Sequence, residues 1–484
     1  MACEESHADQ TAADQADLGL ERKMKIAFVT YPTATLLPPY HGTMGATIYV
    51  IASTLAKSCE VLVYGLEDYQ RGAKSGIYEG ARYRFFRSSV KDRLLLTARD
   101  RLSRLVQITT PVSTSDLLFP SFSRQVARDL ERQYCDVIHV QHCSQYVPII
   151  RALNRNARIV LHIHAQWFSQ SNLPVIERRI RPLDLLLTVS DYVTRKTQQD
   201  IHATADRSET LYNGIDTREF DREKDYESAD RREEKRLLYI GGVWPHKGLH
   251  VLLDAFKFVV ARFPQVRLDI VGPQGFCPLE EYFDLNDQME LQSVGRFLAR
   301  NRGALVKRKL GLGPSDQGTY LRLLKDKLTE DLSRKVTFHG FLSRPELIDY
   351  YYNADVFVFP PIWNEAFGCT PVEAMAAGTP VVATRSGGIV ETMRDHETGF
   401  LVEKNDTEAL AEAILRLLEN DVLQETMGRA ARRRAFEHFN WDAIIAAMHH
   451  RYQRLCALDR PSTSPSTVVF SLSKPDHSDQ SIAG

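Results

Sequence analysis

Two glutamates that could bind a ligand, Glu365 and Glu373, lie eight positions apart in NEAFGCTPVEAMAAGTPVV, residues 364–382. The apolar run DVFVFP precedes them and helical spacing follows Gly368, so the segment predicts strand, loop and helix. With Thr370 as N-cap and Pro371 in the first turn, Glu373 falls three residues after the cap, the spacing of a capping box. Local spacing therefore leaves two roles open for Glu373, a helix cap or a ligand contact.

The predicted loop and helix would also form an anion site. Backbone N–H groups at a helix N-terminus bind anions such as a diphosphate. Here they belong to Phe367, Gly368, Cys369 and Thr370. A carboxylate beside a phosphate is favourable when it accepts hydrogen bonds from hydroxyl groups, so Glu365 and Glu373 suit the hydroxyls of a sugar and a ribose. The predicted ligand is a nucleotide sugar.

The elements that position this site repeat along the chain. Before residue 220 short apolar runs read KIAFVT, VLVYG, DVIHV, RIVLHIH and LLLTV, and later ones read LLYIGG, RLDIVG, KVTFHG, DVFVFP, PVVAT and GFLV. Amphipathic segments separate them, which is typical of parallel strands with crossover helices. The sequence predicts an α/β fold of two tandem, Rossmann-like, doubly wound domains that face a central cleft.

Composition sets the domain limits. Residues 1–23 and 461–484 are polar and unpatterned, and we expect them to be disordered. The N-terminal domain is predicted over 24–215 and the C-terminal domain over 216–439, with an insertion at about 274–333 that we interpret as a flap over the cleft.

Charge and cysteine content exclude several classes of protein. The 484 residues carry a formal net charge of −1, so no overall field favours a nucleic-acid partner. Seven cysteines without a CxxC pair, and an N-terminus without an apolar core, indicate a reduced protein that has no signal peptide. No apolar run is long enough to cross a bilayer. We expect a cytoplasmic protein, either free or at the inner face of the membrane.

Ordered motifs over nearly all of the patterned chain resemble glycosyltransferase family 4, retaining enzymes of the GT-B architecture. The family hallmark is two glutamates separated by seven residues, which Glu365 and Glu373 fit. Further matching segments are PPYHGTMGATIYVIASTLAK, LHIHAQWF, DLLLTVSDYV, TLYNGID, YIGGVWPHKGLHVLLDAF, VTFHGFLS and ETGFLV. The resemblance implies a metal-independent, hexosyltransferase-type enzyme of polysaccharide or glycoconjugate biosynthesis.

The resemblance also implies roles for single residues on the donor side. Glu365 would hold the hydroxyls of the donor sugar and Glu373 those of the ribose, while the N–H groups of residues 367–370 take sugar and diphosphate oxygens. Lys247 in PHKG would stabilise the leaving diphosphate. The base would meet backbone near GFLS, which contains Leu342.

The N-terminal domain would complete the donor site. His164, at the end of RIVLHIH, resembles the family histidine that faces the donor sugar, and His162 on the same strand face is the alternative. Gly42 and Gly45 match the glycine loop that lets the first helix approach the donor phosphate. The final helix, residues 440–455, resembles the closing helix that packs back on the N-terminal domain.

One departure concerns charge at the diphosphate. Family members often carry an arginine a few residues before the lysine, where this chain has Gly242, and Arg385 or His246 are candidate replacements. The chain contains no Asp-x-Asp pair, and we expect no metal cofactor. The alternative of a zinc site is left open by four strand histidines, His139, His142, His162 and His164.

One arginine-rich segment bears on the acceptor. Residues 82–107, RYRFFRSSVKDRLLLTARDRLSRLVQ, combine arginines with Phe and Leu, which suits an anionic membrane surface or a lipid-linked acceptor. A solvated basic helix packed on the sheet explains the same pattern, and a saccharide acceptor stays open. Alternative functions are a nucleotide-sugar-binding or scaffold relative without turnover, and a nucleotide-sugar epimerase.

Overall fold

Two sheets of mainly parallel strands organise the molecule. The computed structural model describes residues 22–39, 43–105, 114–168, 172–226, 234–274 and 319–458. Most of the strands are buried along nearly their whole length, as in VFVF at residues 356–359, because helices cover both faces of each sheet. The predicted doubly wound α/β fold is confirmed.

The first sheet has the strand order β3-β4-β2-β1-β5-β6-β7-β8, and all pairs except β3 with β4 are parallel. Its strands are β1 (Lys25–Val29), β2 (Glu60–Leu66), β3 (Gly76–Tyr78), β4 (Ala81–Phe86), β5 (Val137–Gln141), β6 (Arg158–Ile163), β7 (Leu185–Thr188) and β8 (Ser208–Thr210). Its helices are α1 (Thr43–Leu55), α2 (Val90–Leu105), α3 (Pro120–Gln133), α4 (Tyr146–Leu153), α5 (Leu173–Ile180) and α6 (Asp191–Asp200).

The second sheet is entirely parallel, in the order β11-β10-β9-β12-β13-β14. Its strands are β9 (Lys235–Ile240), β10 (Val266–Val271), β11 (Val336–Gly340), β12 (Val356–Phe359), β13 (Val381–Thr384) and β14 (Gly399–Val402). The helices are α7 (Leu249–Arg262), α8 (Thr319–Asp326), α9 (Glu330–Ser333), α10 (Arg344–Asn353), α11 (Cys369–Ala376), α12 (Ile389–Thr392), α13 (Thr407–Leu418) and α14 (Asp421–His438). The order reverses at β9, and ligands of such sheets bind beyond the carboxyl ends of the strands at that point.

The last helix, α15 (Trp441–Ala457), returns to the first sheet. At the crossing the Ile215 N–H donates to the Phe439 carbonyl at 2.7 Å, and the Trp441 N–H donates to the Ile215 carbonyl at 3.1 Å. Met448 and Tyr452 are fully buried in one core cluster with residues of β1. Helix α15 therefore belongs to the N-terminal packing unit, on which it lies against α1.

The arginine-rich segment is only partly helical. Residues 82–86 belong to strand β4, and α2 starts at Val90. Phe86 stacks parallel to Tyr64 with the ring centroids 6.2 Å apart, so this part faces other protein atoms. The interpretation of residues 82–107 as one helix is wrong for its first part, because Ala81 and Tyr83 are buried and Arg82 is exposed in the period-2 pattern of a strand.

The predicted insertion is described only at its end. Residues 275–318 lie outside the described residues, as do almost all of residues 1–23 and all of 461–484. In α8 the Tyr320 hydroxyl bonds to the ring of His250 on α7 at 2.8 Å, and Leu324 is buried. Within the described part of the chain, no helix is long and apolar enough to cross a bilayer.

Candidate active site

The residues that could bind a ligand or take part in a reaction lie in loops after the carboxyl ends of strands. His164 follows β6, Lys247 lies in a 3-10 turn (Pro245–Lys247) after β9, Leu342 follows β11, and Glu365 follows β12. Loops at this edge of each sheet converge on the same cleft.

Lys247 and Glu365 meet directly. The turn after β9 is tied to the loop after β12 because the Ile362 N–H donates to the His246 carbonyl at 2.9 Å. Lys247 Nζ then donates to Glu365 Oε1, and both side chains are largely buried. The ammonium also lies 5.0 Å from the centroid of the Trp363 ring, a cation–π contact. The structure thus brings together two predicted site residues that are 118 positions apart in sequence.

Helix α11 starts earlier than the sequence predicted. Its N-cap is Gly368, with φ +95° and ψ 65°, and the helix begins at Cys369, so the prediction of Thr370 as N-cap is wrong. Glycine is required there because a side chain is strained at that φ. No side chain caps this helix start, and the first N–H groups of a helix have no partner within the helix. Those of residues 369–370 are therefore suited to an anion.

Cys369 is a poor nucleophile. Burial is the main cause that raises the pKa of its thiol to about 12, and the carboxylates Glu373 and Glu365 act in the same direction. A thiol with such a pKa stays protonated at neutral pH, so the group of Cys369 that is suited to bind an anion is its backbone N–H.

Glu373 does not act as a helix cap. Its Oε1 accepts a hydrogen bond from Arg344 Nη1 at 2.8 Å, and its Oε2 accepts one from the Tyr351 hydroxyl at 2.7 Å. The capping-box alternative is therefore wrong, since both partners lie on α10.

His164 faces this site from the first sheet. Its Nε2 donates to Gln141 Oε1 at 2.6 Å, and burial is the main cause that lowers the pKa of His164 to about 4. Asn213 bonds to the same ring and also lies 3.8 Å from the Cys369 sulfur, so His164 approaches the start of α11. The alternative residue is His162, whose ring centroid lies 4.1 Å from that of His164. The side chain of His162 is buried.

The rings of the four strand histidines lie next to one another and are tilted rather than stacked. Centroids lie 5.3 Å apart for His139 and His162 and 5.0 Å apart for His142 and His164. Among the residues that the structure describes, no group of three or more histidine, cysteine or acidic side chains is arranged to hold a metal ion. The alternative of a zinc site therefore finds no support in the described geometry.

The glycine loop is described only in part. Gly42 lies outside the described residues. Gly45 lies in the first turn of α1, and a Cβ atom there would come within 1.8 Å of the Thr35 carbonyl oxygen. Only glycine lets α1 approach the loop after β1 this closely.

The position of the absent arginine is filled by an aromatic ring. A Cβ atom on Gly242 would come within 2.5 Å of the Trp244 ring. Of the two predicted replacements, Arg385 is held by Asp395 and Glu403, and burial holds the pKa of His246 well below its usual range, so that the His246 ring is neutral at pH 7. Lys247 is the predicted cation that the structure puts beside Glu365.

Sequence reasoning missed a contact between the two halves of the molecule. The Glu391 carboxylate on α12 accepts hydrogen bonds from the Asp191 and Tyr192 N–H groups, at 2.7 and 2.6 Å, at the start of α6. The partners are about 200 positions apart, so no local pattern in the sequence could reveal the contact.

The architecture is that of the GT-B glycosyltransferases. Sucrose-phosphate synthase from Thermosynechococcus elongatus superimposes with a TM-score of 0.64 at 20% identity, covering 90% of this chain and 99% of that chain. Anabaena HepE in complex with UDP and glucose superimposes with a TM-score of 0.59 at 19% identity, covering 89% and 99%.

The family follows from sequence. Residues 44–219 match the family model Glycosyltransferase Family 4, and residues 221–434 match Glycosyl transferases group 1. Phosphatidyl-myo-inositol mannosyltransferase of Mycobacterium tuberculosis is 30% identical over 369 residues, which cover 72% of this chain and 82% of that protein. The chain belongs to glycosyltransferase family 4.

Proposed function

We propose that the chain is a retaining glycosyltransferase of the hexosyltransferase type. It moves a sugar from a UDP- or GDP-sugar to a hydroxyl acceptor without a divalent metal ion. The observation that carries the proposal is the ion pair of Lys247 with Glu365 beside the start of α11 in a member of this family. A nucleotide sugar requires a cation and helix N–H groups for its diphosphate, and a carboxylate that accepts hydrogen bonds from its sugar hydroxyls.

The donor binds along the second sheet. Its diphosphate lies on the N–H groups at the start of α11, Glu373 accepts hydrogen bonds from the ribose, and the loop that contains Leu342 faces the base. Glu365 accepts hydrogen bonds from the hydroxyls of the donor sugar. The Lys247 ammonium, which pairs with Glu365, also binds the diphosphate.

Transfer proceeds on one face of the sugar. The bond between the anomeric carbon and the β-phosphate oxygen breaks, its electron pair stays on that oxygen, and Lys247 opposes the developing negative charge. The acceptor oxygen bonds to the anomeric carbon from the same face, and its proton passes to a β-phosphate oxygen. His164 is neutral at physiological pH, because its pKa is lowered, so it contributes a hydrogen bond rather than a charge.

We propose a lipid-linked sugar or a saccharide as the acceptor, used at the inner face of a membrane. The lipid-linked acceptor is supported by the mycobacterial relative, which is a phosphatidyl-myo-inositol mannosyltransferase. It is also supported by α2, where Val90 and Leu94 are exposed beside Lys91 and Arg93. Flotation with vesicles of anionic or neutral lipid tests the lipid-linked acceptor. Retention on anionic vesicles supports a membrane acceptor, and absence of binding to both leaves the saccharide.

A second candidate function is nucleotide-sugar binding without turnover. It is favoured by Gly242, where the Trp244 ring fills the space that a side chain would need. The remaining alternative is an epimerase, which would release nucleoside diphosphate without an acceptor.

Release of nucleoside diphosphate tests the proposal. UDP-, GDP- and ADP-sugars are supplied with a chelator and with mixed lipid and saccharide acceptors, and Glu365→Gln is the control. We expect acceptor-dependent release that the variant reduces by at least about 100-fold, and a product that keeps the anomeric configuration by NMR. Binding without release favours the binding protein, and release without an acceptor product favours the epimerase.

A further inference from the structure

Two side chains of α10 hold the Glu373 carboxylate from both sides. Arg344 is the first residue of α10 and Tyr351 follows seven positions later, so both project from the same face of the helix. Arg344 Nη1 donates to one oxygen and the Tyr351 hydroxyl donates to the other, at 2.8 and 2.7 Å. Each carboxylate oxygen can accept two hydrogen bonds. One acceptor position therefore remains on each oxygen.

The two donors are themselves fixed. Arg344 Nη2 and Nε donate to Glu219 Oε2 at 2.6 and 3.0 Å. Tyr351 is fully buried, and burial with the neighbouring Glu373 charge holds its pKa far above the usual value, so its hydroxyl keeps the proton that it donates. The orientation of the Glu373 carboxylate is thus set by groups that do not rotate freely.

The same contacts balance charge. Glu373 lies one turn beyond the start of α11, where the diphosphate of the proposed donor would bind. An unpaired carboxylate there would repel the diphosphate, and the Arg344 guanidinium offsets that charge.

We propose that Arg344 and Tyr351 are positioning residues for the ribose of the donor. They present the two remaining acceptor positions of Glu373 to the two adjacent ribose hydroxyls. The inference rests on the proposed function, since it requires Glu373 to bind ribose. A carboxylate already held in place loses little conformational entropy when the donor binds, so Arg344 and Tyr351 determine how strongly the site distinguishes a ribonucleotide from its 2′-deoxy analogue.

The experiment measures one ratio, the Kd of the 2′-deoxy nucleotide divided by that of the ribonucleotide. UDP with 2′-deoxy-UDP, and GDP with 2′-deoxy-GDP, are titrated into the full chain. The variants are Glu373→Gln, Arg344→Gln and Tyr351→Phe. Arg222→Gln is the control. Arg222 Nη2 forms an exposed ion pair with Oδ1 of Asp349, a residue of α10, at 2.5 Å, and its removal leaves the contacts of Glu373 in place.

We expect a wild-type ratio of about ten or more, which corresponds to the free energy of one hydrogen bond to a charged group. Glu373→Gln should bring the ratio close to one, and Arg344→Gln and Tyr351→Phe should each lower it at least about threefold. Arg222→Gln should leave it unchanged. A purely structural role for Arg344 and Tyr351 would raise both Kd values equally and keep the ratio.

The outcomes separate the two levels of the proposal. Absence of binding of both UDP and GDP contradicts the proposed function. Binding with a wild-type ratio near one removes Glu373 from the ribose and overturns the positioning role, while the transferase function stands. A high ratio that Glu373→Gln abolishes, while Arg344→Gln and Tyr351→Phe retain it, overturns the positioning role alone. If Arg344→Gln fails to fold, Tyr351→Phe still decides, because it removes one hydroxyl and leaves all charges in place.

Discussion

We expect Lys247 and Glu365 to have both a structural and a chemical role, because they form a buried ion pair in the proposed donor site. Both side chains are largely buried, and each compensates the charge of the other. Removal of one partner leaves a buried charge without its counterion, which destabilises the fold independently of chemistry. The loss of activity in a single variant would therefore not by itself establish a catalytic role.

Stability and activity should separate in the double variant. We expect Glu365→Gln and Lys247→Met each to lower the free energy of unfolding by about 1–3 kcal/mol, and the double variant to regain most of that loss. Activity should fall by at least about 100-fold in all three. Urea unfolding and nucleoside diphosphate release measure the two effects.

Lys257→Met is the matched control for this set, since Lys257 pairs with Asp254 at 2.8 Å on an exposed face of α7. It should change stability by less than about 1 kcal/mol and leave activity intact. A double variant with strictly additive destabilisation would contradict the account of Lys247 and Glu365 as a compensating pair.

Single residues differed in how well the sequence could reveal them. Glu365 and Lys247 stand in local motifs, whereas the partner of Glu373 on α10, Arg344, is 29 positions away, and no local rule predicts that contact. The capping box failed because Gly368, in its positive-φ conformation, starts the helix before Thr370. Short-range spacing cannot show which of two starts a glycine will allow.

At the scale of elements, strands buried on both faces were the most predictable, because they read as continuous apolar runs. The apolar runs do not predict strands β3, β4 and β8. In ARYRFF the charged residues alternate with buried ones, and this partly exposed pattern is equally typical of a basic helix. β8 contributes three half-buried residues, SET, which carry no apolar signal at all.

Strands β5 and β6 and the loops after them carry the four neighbouring histidines. Burial is the main cause that lowers the pKa of His139 to about 3 and that of His164 to about 4, and it also holds the pKa values of His142 and His162 well below the usual range. In an unfolded chain a histidine titrates near pH ~6.5. Below that pH the unfolded chain binds protons that the folded chain does not.

Stability should therefore fall as the pH drops from about 6.5 toward 4, and above about pH 7 the cluster should add no pH dependence to the stability. Each such histidine contributes a slope of up to ~1.4 kcal/mol per pH unit. His162→Gln should reduce the slope by about that amount, measured by urea unfolding at a series of pH values. The exposed His438, replaced by Gln, serves as the control, and an unchanged slope in His162→Gln would contradict a neutral buried ring.

At the scale of the whole molecule, two features join the halves. The chain crosses between them near Ile215 and Asn440, and Glu391 on α12 bonds to the start of α6. A carboxylate at a helix N-terminus also benefits from the helix dipole. Helix α12 follows the loop whose Gly388 N–H donates to the Glu365 carbonyl at 2.8 Å, so this contact between the halves adjoins the site.

Glu391→Ala should loosen the arrangement of the two halves. We expect a larger radius of gyration by small-angle scattering and a KM for the donor raised about three- to tenfold, since the bound arrangement is less populated at equilibrium. Glu397→Ala removes the same charge from an exposed position nearby and should change neither quantity. A Glu391→Ala protein with the scattering and KM of the wild type would show that the contact does not hold the halves together.

A crystal structure of the full chain with the nucleoside diphosphate that the release assay identifies would show directly where the donor binds. We expect diphosphate oxygens on the N–H groups at the start of α11 and within reach of Lys247 Nζ, with the ribose hydroxyls on Glu373. A nucleotide bound elsewhere, with Lys247 still paired only to Glu365, would contradict the proposed donor site.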